Sequence, residues 1–493
     1  LSPRETMAAV IAAVVALTLV AATIYGRDHR ATSFTDWAVG SRMIGPVLFW
    51  FMNAGEMYTT FAVLGVSGMA WASGAPAYIA FSSVSVSYAL AYLLGPGIWS
   101  AGRRAGLVTQ ADFFSSRYRA PWLGGVVAGV GIVGIVIYIQ IQLVALSLVV
   151  DIAFGSRVPR DVAMIGAAAL MVLFGVFHGL RPAAVAAAIK DVLMLAVVVM
   201  LCVPLARNVG AHSLADVFAL ARERAPGITV LPGREPGAST TSWWFMTAAL
   251  EIGLANWMFP HLFQMFYAVR DPQLIRRNAA LQPVYALAYF FIIMLGLGAL
   301  VAGTTPAGGD LNAALPQFIV ARYPPWLAGL FTATCILLAL VPGTLLLLAA
   351  GSIFTRNIAA RWTTGESSRA ALRVSRLAMV VIAALAAWLS LRQRDSLFEV
   401  LLEAYSAIGM LAPGVYLGLA WRRTQAVAVL AGLLTGLFIL LAPASREWLA
   451  VHMPQCVPGL VAMLVNALVV IGLSFAITLR APELCANAQR VGR

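Results

Sequence analysis

Glu56 falls inside an apolar stretch long enough to cross a membrane. The stretch runs over 46–71, and its middle reads Asn53-Ala54-Gly55-Glu56-Met57-Tyr58-Thr59-Thr60. A carboxylate at bilayer depth costs about 2.5–3.5 kcal/mol on insertion scales, so such groups mark ion, proton or substrate sites. The glycine beside it and the polar run after it predict a helix that unwinds halfway across. An unwound segment frees carbonyls for a cation and N–H groups for an anion. A second apolar stretch, 242–268, carries Glu251 and is interrupted around Gly253, Asn256 and Pro260. A matched pair of broken helices in corresponding positions points to an inverted-repeat transporter site.

The elements that must hold these residues are membrane helices. The chain has 493 residues, 61% hydrophobic and 11% charged. Soluble domains are about 45–50% apolar and about 25% charged. Thirteen apolar spans are expected, numbered from helix 0, at 7–25, 46–71, 76–100, 121–150, 160–177, 183–206, 242–268, 281–303, 326–354, 374–391, 396–420, 425–443 and 456–479. Helix 0 is longer than a signal-peptide core and lacks an A-x-A site, so it reads as a retained helix. The formal net charge is +13, yet almost every Arg lies between apolar runs. With the N-terminus outside, 22 of the 33 basic residues fall on the inner side. The positive-inside rule then gives an outer N-terminus and a cytoplasmic C-terminus, and nucleic acid is not expected as a partner. Cys202, Cys335, Cys456 and Cys485 form no CxxC pair, and no HExxH, Walker A or GxSxG motif is present, so neither a metal site nor an enzyme is expected. No soluble domain is predicted. The longest outer segment is 207–241, the inner loop 355–373 is basic, and Thr109 to Tyr118 reads as an amphipathic segment at the inner interface.

Several stretches resemble the sodium:solute symporter family. They are Gly65-Val66-Ser67-Gly68, Gly106-Leu107-Val108-Thr109-Gln110-Ala111-Asp112-Phe113 with Arg117-Tyr118, Tyr138-Ile139-Gln140-Ile141-Gln142-Leu143, Gly179-Leu180-Arg181, and Ser352-Ile353-Phe354-Thr355-Arg356-Asn357-Ile358. The resemblance implies an all-α polytopic fold with LeuT-like inverted five-helix repeats. Segment 1–44 would hold helix 0 and the first inner loop, 45–206 the first repeat, 207–241 an external loop, 242–420 the second repeat, and 421–493 two peripheral helices and a short inner tail. It also implies cation-coupled uptake of a small solute by alternating access. Gly179-Leu180-Arg181-Pro182, Ile189-Lys190-Asp191, Ala339-Leu340-Val341-Pro342, Phe259-Pro260-His261-Leu262 and Gly55-Glu56-Met57-Tyr58-Thr59 resemble the family's bacterial monocarboxylate permeases, with Glu56 where Asp is expected.

The family's sodium site joins helix 1 carbonyls, here Gly55 and Tyr58, to helix 8 hydroxyls. The corresponding helix 8 positions are Val341 and Pro342, which offer no side-chain oxygen. Pro342 frees the carbonyl of Leu338, a partial substitute ligand. Where relatives have Thr-Asp, this chain has Lys190-Asp191. An ammonium donates to carbonyls much as a cation is held by them, so Lys190 is expected in the vacated site as a titratable stand-in. Two plainer readings stand beside it: Lys190 snorkels to the inner interface, or pairs statically with Asp191. Adjacent helical residues point about 100° apart, which makes that pair geometrically poor. Glu56 is a proton acceptor, a partner of Lys190, or an acid bonded to the broken backbone. Substrate is expected around Glu56, Thr59, Tyr138, Gln142, Asn256 and His261, with its carboxylate at the N-termini of the half-helices. His261 is a gate, a titrating group or an ordinary packed histidine. Asp112 and Arg117 are expected to stabilise an inner loop.

These readings add up to a symporter importing a small organic acid such as lactate or pyruvate through the bacterial inner membrane. It needs no cofactor, uses H⁺ or Na⁺ as coupling ion, and has the lipid bilayer and a small-molecule acid as its only evident partners. A sodium symporter of a neutral amino acid or sugar is the alternative. A membrane sensor module is the alternative of another class, disfavoured by the short tail after Arg480.

Overall fold

A computed structural model describes residues 2–28, 33–234, 241–359, 369–392 and 397–480. Apart from one isolated bridge between Ile44 and Val269, the regular structure among them is helical. Among the described residues nine helical stretches are long and apolar enough to cross a membrane. Four further spans complete the thirteen expected. Helix 1 is split into Pro46–Gly55 (1a) and Thr60–Ala72 (1b), and helix 6 into Ser242–Ala255 (6a) and Pro260–Ala268 (6b). Helix 4 (Arg160–His178) and helix 11 (Ala426–Leu441) are the other two.

The members that surround the breaks are helix 2 (Ile79–Ala105), helix 3 (Pro121–Phe154), helix 5 (Leu180–Cys202), helix 8 (Pro325–Ile353) and helix 10, itself in two pieces (Leu397–Gly409, then Ala412–Ala420). Helix 7 is kinked at Leu287 into Pro272–Ala286 and Ala288–Val301. Helices 0 (Pro3–Asp28), 9 (Arg369–Ser390) and 12 (Pro458–Arg480) lie around them.

Local chemistry sets the boundaries. Pro46, Pro121, Pro260 and Pro272 open their helices at the first position, where a missing N–H costs nothing. Gly179 turns helix 4 into helix 5 at φ 69, and a Cβ there would stand 2.9 Å from the Trp37 ring. Gly253 does not interrupt helix 6. It lies inside 6a, where a Cβ would meet Val86 at 2.5 Å, so its use is close packing on helix 2. The break falls instead at Asn256–Phe259, before Pro260.

Two expectations about loops are corrected. Thr109–Tyr118 is not an interfacial amphipathic segment. Gln110–Arg117 is a short helix whose first five residues are buried, started by a Thr109/Asp112 capping box. Its apolar side chains face helix 3 and helix 10 rather than lipid. Phe114, for example, packs on Gly414 of helix 10. The outer segment 207–241 is also less irregular than expected, because Ser213 and Asp216 cap a helix over Leu214–Arg224. Residues 360–368 of the basic loop 355–373 lie outside the described residues.

Candidate functional site

The unwinding of helix 1 leaves carbonyls that the helix no longer satisfies, and each must find a donor in the dry interior. The Tyr88 hydroxyl donates to the Asn53 carbonyl at 2.9 Å, and the Tyr289 hydroxyl to that of Met57 at 2.6 Å. The carbonyls of Gly55 and Tyr58 accept from Lys190 Nζ at 2.7 and 3.3 Å. The third ammonium proton goes to Asp191 Oδ1 at 2.8 Å. An ammonium has three donors, and here all three are used. Both charged side chains are wholly buried.

The Lys190–Asp191 contact corrects the expectation that sequence neighbours pair poorly. A four-carbon stem has enough freedom to bring the ammonium back over its own helix as well as across to helix 1. Helix 5 and the break approach closely because residue 55 is glycine: a Cβ there would sit 2.2 Å from Asp191 Oδ2. Lys190 therefore does not reach towards an aqueous interface. Val341 and Pro342 are buried on helix 8 and bring no side-chain oxygen. Leu338 is buried too, and its carbonyl is not among the ammonium's three partners.

Glu56 occupies the other side of the break. Its Oε2 lies 3.3 Å from His261 Nε2 of helix 6b, and both side chains are buried. The approach is an ion-pair distance without hydrogen-bond geometry. Neither Glu56 oxygen and neither His261 nitrogen has a hydrogen-bond partner among the described residues. The two half-helices thus meet through an acid and an imidazole at close approach.

A cavity of about 60 Å³ adjoins Glu56, and His261 is not among the residues that line it. Glu56, Thr59, Tyr138 and Asn256 line it, and it runs along 1b and the start of helix 2 past Val66, Met69 and Ile79. Asn256 accepts from the Tyr405 hydroxyl at 3.2 Å, and its amide nitrogen is unpartnered. The Tyr138 ring lies 5.9 Å from that of His261. Gln142 does not line this cavity. It is fully buried one turn further along helix 3, with neither amide atom hydrogen-bonded. Ser83, Ser87, Tyr289 and Tyr405 also line the cavity, and sequence reasoning missed them. Ser83 and Ser87, four apart in an apolar helix, were a readable signal. The tyrosines gave none, since a tyrosine in a span marks no particular face.

The cavity ends at the break, and the opposite, basic face is sealed. Gln110 donates to the Met258 carbonyl, Arg42 to that of Leu107 and Gln264 to that of Ala38. Ile44 N–H donates to the Ala268 carbonyl at 3.0 Å, which ties the chain before helix 1 to the end of 6b. Asp112 gathers four donors: the N–H groups of Val108 and Thr109, Arg356 Nε and Asn357 Nδ2. Arg117 donates to the carbonyls of Gly418 and Trp421.

The sequence profile of the sodium:solute symporter family matches residues 37–436. The chain belongs to the sodium:solute symporter family. Its relatives include the uncharacterized symporter YhjB of Bacillus subtilis, 28% identical over 461 residues, 92% of this chain and 93% of that protein. A monocarboxylate transport permease protein of Rhizobium johnstonii is 26% identical over 423 residues, 84% of this chain and 83% of the relative. Among solved structures, an outward-open Na⁺-coupled sialic acid symporter superposes with a TM-score of 0.77, covering 96% of this chain and 97% of that one at 15% identity. Mhp1, a nucleobase-cation-symport-1 transporter in a closed conformation, superposes at 0.60 and 15% identity, covering 90% of this chain and 95% of its own. These likenesses show the fold: an all-helical transporter core with its first helix of each repeat broken. This family member is a transporter rather than an enzyme.

Proposed function

We propose that this symporter imports a small monocarboxylate together with a proton, and that Lys190 holds the place of the family's coupling cation. The observation that carries this is the seating of the Lys190 ammonium on the Gly55 and Tyr58 carbonyls. By the resemblance those two carbonyls correspond to the family's sodium ligands, and Val341 and Pro342 bring no side-chain oxygen opposite them. A proton on Lys190 does what a bound cation does: it clamps the broken backbone of helix 1 to helix 5. Its departure removes one of the three N–H donors and the positive charge that holds the carbonyls, and favours release of the clamp.

The substrate class rests on the likeness to a protein described as a monocarboxylate transport permease. The N-terminus of 1b supports it. Thr59 makes no side-chain cap there, which leaves N–H groups and the positive end of the helix dipole beside the cavity. Tyr138 and His261 are further donors near that end. A carboxylate bound there would be repelled by an ionised Glu56, so the Glu56–His261 pair would hold a proton while substrate is present. The basic face is assigned to the cytoplasm of the bacterial inner membrane, with the N-terminus outside. The cavity then faces outwards, and substrate meets it before the inner seal opens.

Sodium-driven uptake of a neutral solute is the second reading. It is favoured by one observation: the cavity lining includes the Glu56 carboxylate and no Lys or Arg. Uptake into proteoliposomes under separately imposed pH and sodium gradients divides the two, with lactate, pyruvate, acetate and alanine as competitors. Accumulation driven by the pH gradient alone and competed by lactate or pyruvate is expected. Strict sodium dependence without pH sensitivity would overturn the proposal.

A further inference from the structure

Proton coupling at Lys190 needs a way out to the basic face, and the inner seal described above leaves none through the substrate cavity. The first part of helix 7, Pro272–Ala286, carries an unusual stripe. Asn278, Gln282 and Tyr285 fall at spacings of four and three, on one face. All three are buried, at 5%, 1% and 9% exposure, within an otherwise apolar packing layer. Each leaves a polar atom with no hydrogen-bond partner among the described residues: Asn278 Nδ2, Gln282 Oε1 and Tyr285 Oη. Buried polar atoms are almost always satisfied, and where protein supplies no partner, ordered water does.

The stripe is connected at both ends. Asp271, seven residues before Asn278, is exposed and caps the helix start beside Arg270 on the basic face. In the middle, Asn278 Oδ1 accepts from Asn53 Nδ2 of helix 1a at 2.8 Å. At the deep end the Tyr285 carbonyl accepts from the Tyr58 hydroxyl at 2.8 Å, with the two rings edge to face at 4.9 Å. Tyr58 is also the residue whose carbonyl receives Lys190. Asp191 Oδ2, the remaining unpartnered oxygen of the ion pair, lies against Gly55 in the same pocket. From Asn278 to Tyr285 the helix rises about 10 Å.

We infer that this stripe is a hydrated proton path joining the Lys190–Asp191 pair to the basic face, separate from the route taken by substrate. The inference rests on the proton-coupled reading above. Protons move along it between water molecules held by Asn278, Gln282 and Tyr285. The groups that face Lys190 allow this. Asp191 pairs with the ammonium, and the ring of Tyr285 packs edge to face on that of Tyr58. Glu56 is the other acid that acts on Asp191, and Tyr289 stacks on Tyr58. Helices 0 and 8, also packed on helix 5, present no Asp, Glu, Lys, Arg or His over 7–25 and 325–353.

The test separates net transport from exchange. Net symport must release a proton inside in every cycle, whereas exchange of labelled for unlabelled substrate does not. In proteoliposomes given ¹⁴C-pyruvate, Gln282→Leu and Tyr285→Phe are expected to slow pH-driven accumulation about tenfold while exchange at equal pH stays within about twofold of wild type. Gln282→Asn, which keeps a polar group, is expected to restore net accumulation. Equal loss in both modes would overturn the path and leave the proton-coupled reading standing. Wild-type accumulation that ignores the pH gradient would overturn that reading, and the path with it.

Discussion

Replacing Lys190 by Met tests whether the buried pair is ionic and whether it is the coupling element. The substitution keeps length and apolar stem but removes three contacts, at 2.7, 2.8 and 3.3 Å. It leaves the Gly55 and Tyr58 carbonyls without their donor and Asp191 buried without its cation. Removing one member of a buried pair costs about 3–5 kcal/mol. The double variant Lys190→Met/Asp191→Leu removes the orphaned acid as well, and apolar replacement of a whole buried pair is often neutral. Lys190→Met is therefore expected to lose about 3–5 kcal/mol, and the double variant to recover most of it. Unfolding in mixed micelles, followed by fluorescence of the chain's 13 tryptophans, measures this. Both variants should lose pH-driven accumulation alike, although their stabilities differ. Equal stabilities for the single and double variants would show that Asp191 carries no charge when Lys190 is removed. A double variant that still accumulates substrate on a pH gradient would remove Lys190 from coupling.

Glu56→Gln keeps the size of the side chain facing His261 but cannot trade a proton with it. It should lose accumulation while retaining exchange, and normal accumulation would exclude Glu56 from coupling. Asp112→Ala strips four donors of their acceptor at the sealed face, two of them from Arg356 and Asn357. Hydrogen bonds to charged groups contribute about 1.5–3 kcal/mol each, so the variant should populate inward-open states. Increased labelling of a cysteine placed at Gln110 checks this, and unchanged labelling would mean the seal is held elsewhere.

The broken helices were legible because breaking a span leaves marks that an intact span lacks. Gly55, the polar run after it, and Pro260 each remove or compete with helical hydrogen bonds. Lys190 stood out by type and depth, but its contact with Asp191 did not, since angular spacing on a helix ignores how far a long side chain can bend. The segment 109–118 misled for a related reason: alternating charge and aromatic residues look the same whether the apolar face meets lipid or helices 3 and 10. Tyr289 and Tyr405 were invisible because their use depends on a carbonyl and an amide from other helices. Gly253 was assigned to the wrong task, since a glycine that ends a helix and one that admits a neighbouring helix read alike.

The coupling ion is measured most directly as proton movement. Cells or proteoliposomes in weak buffer without sodium, given a pulse of pyruvate or lactate, should show prompt alkalinisation of the outer medium as proton and anion enter together. Lys190→Gln should abolish that signal. Uptake with no pH change, or a signal that appears only when sodium is added, would contradict a lysine proton in the role of the coupling cation.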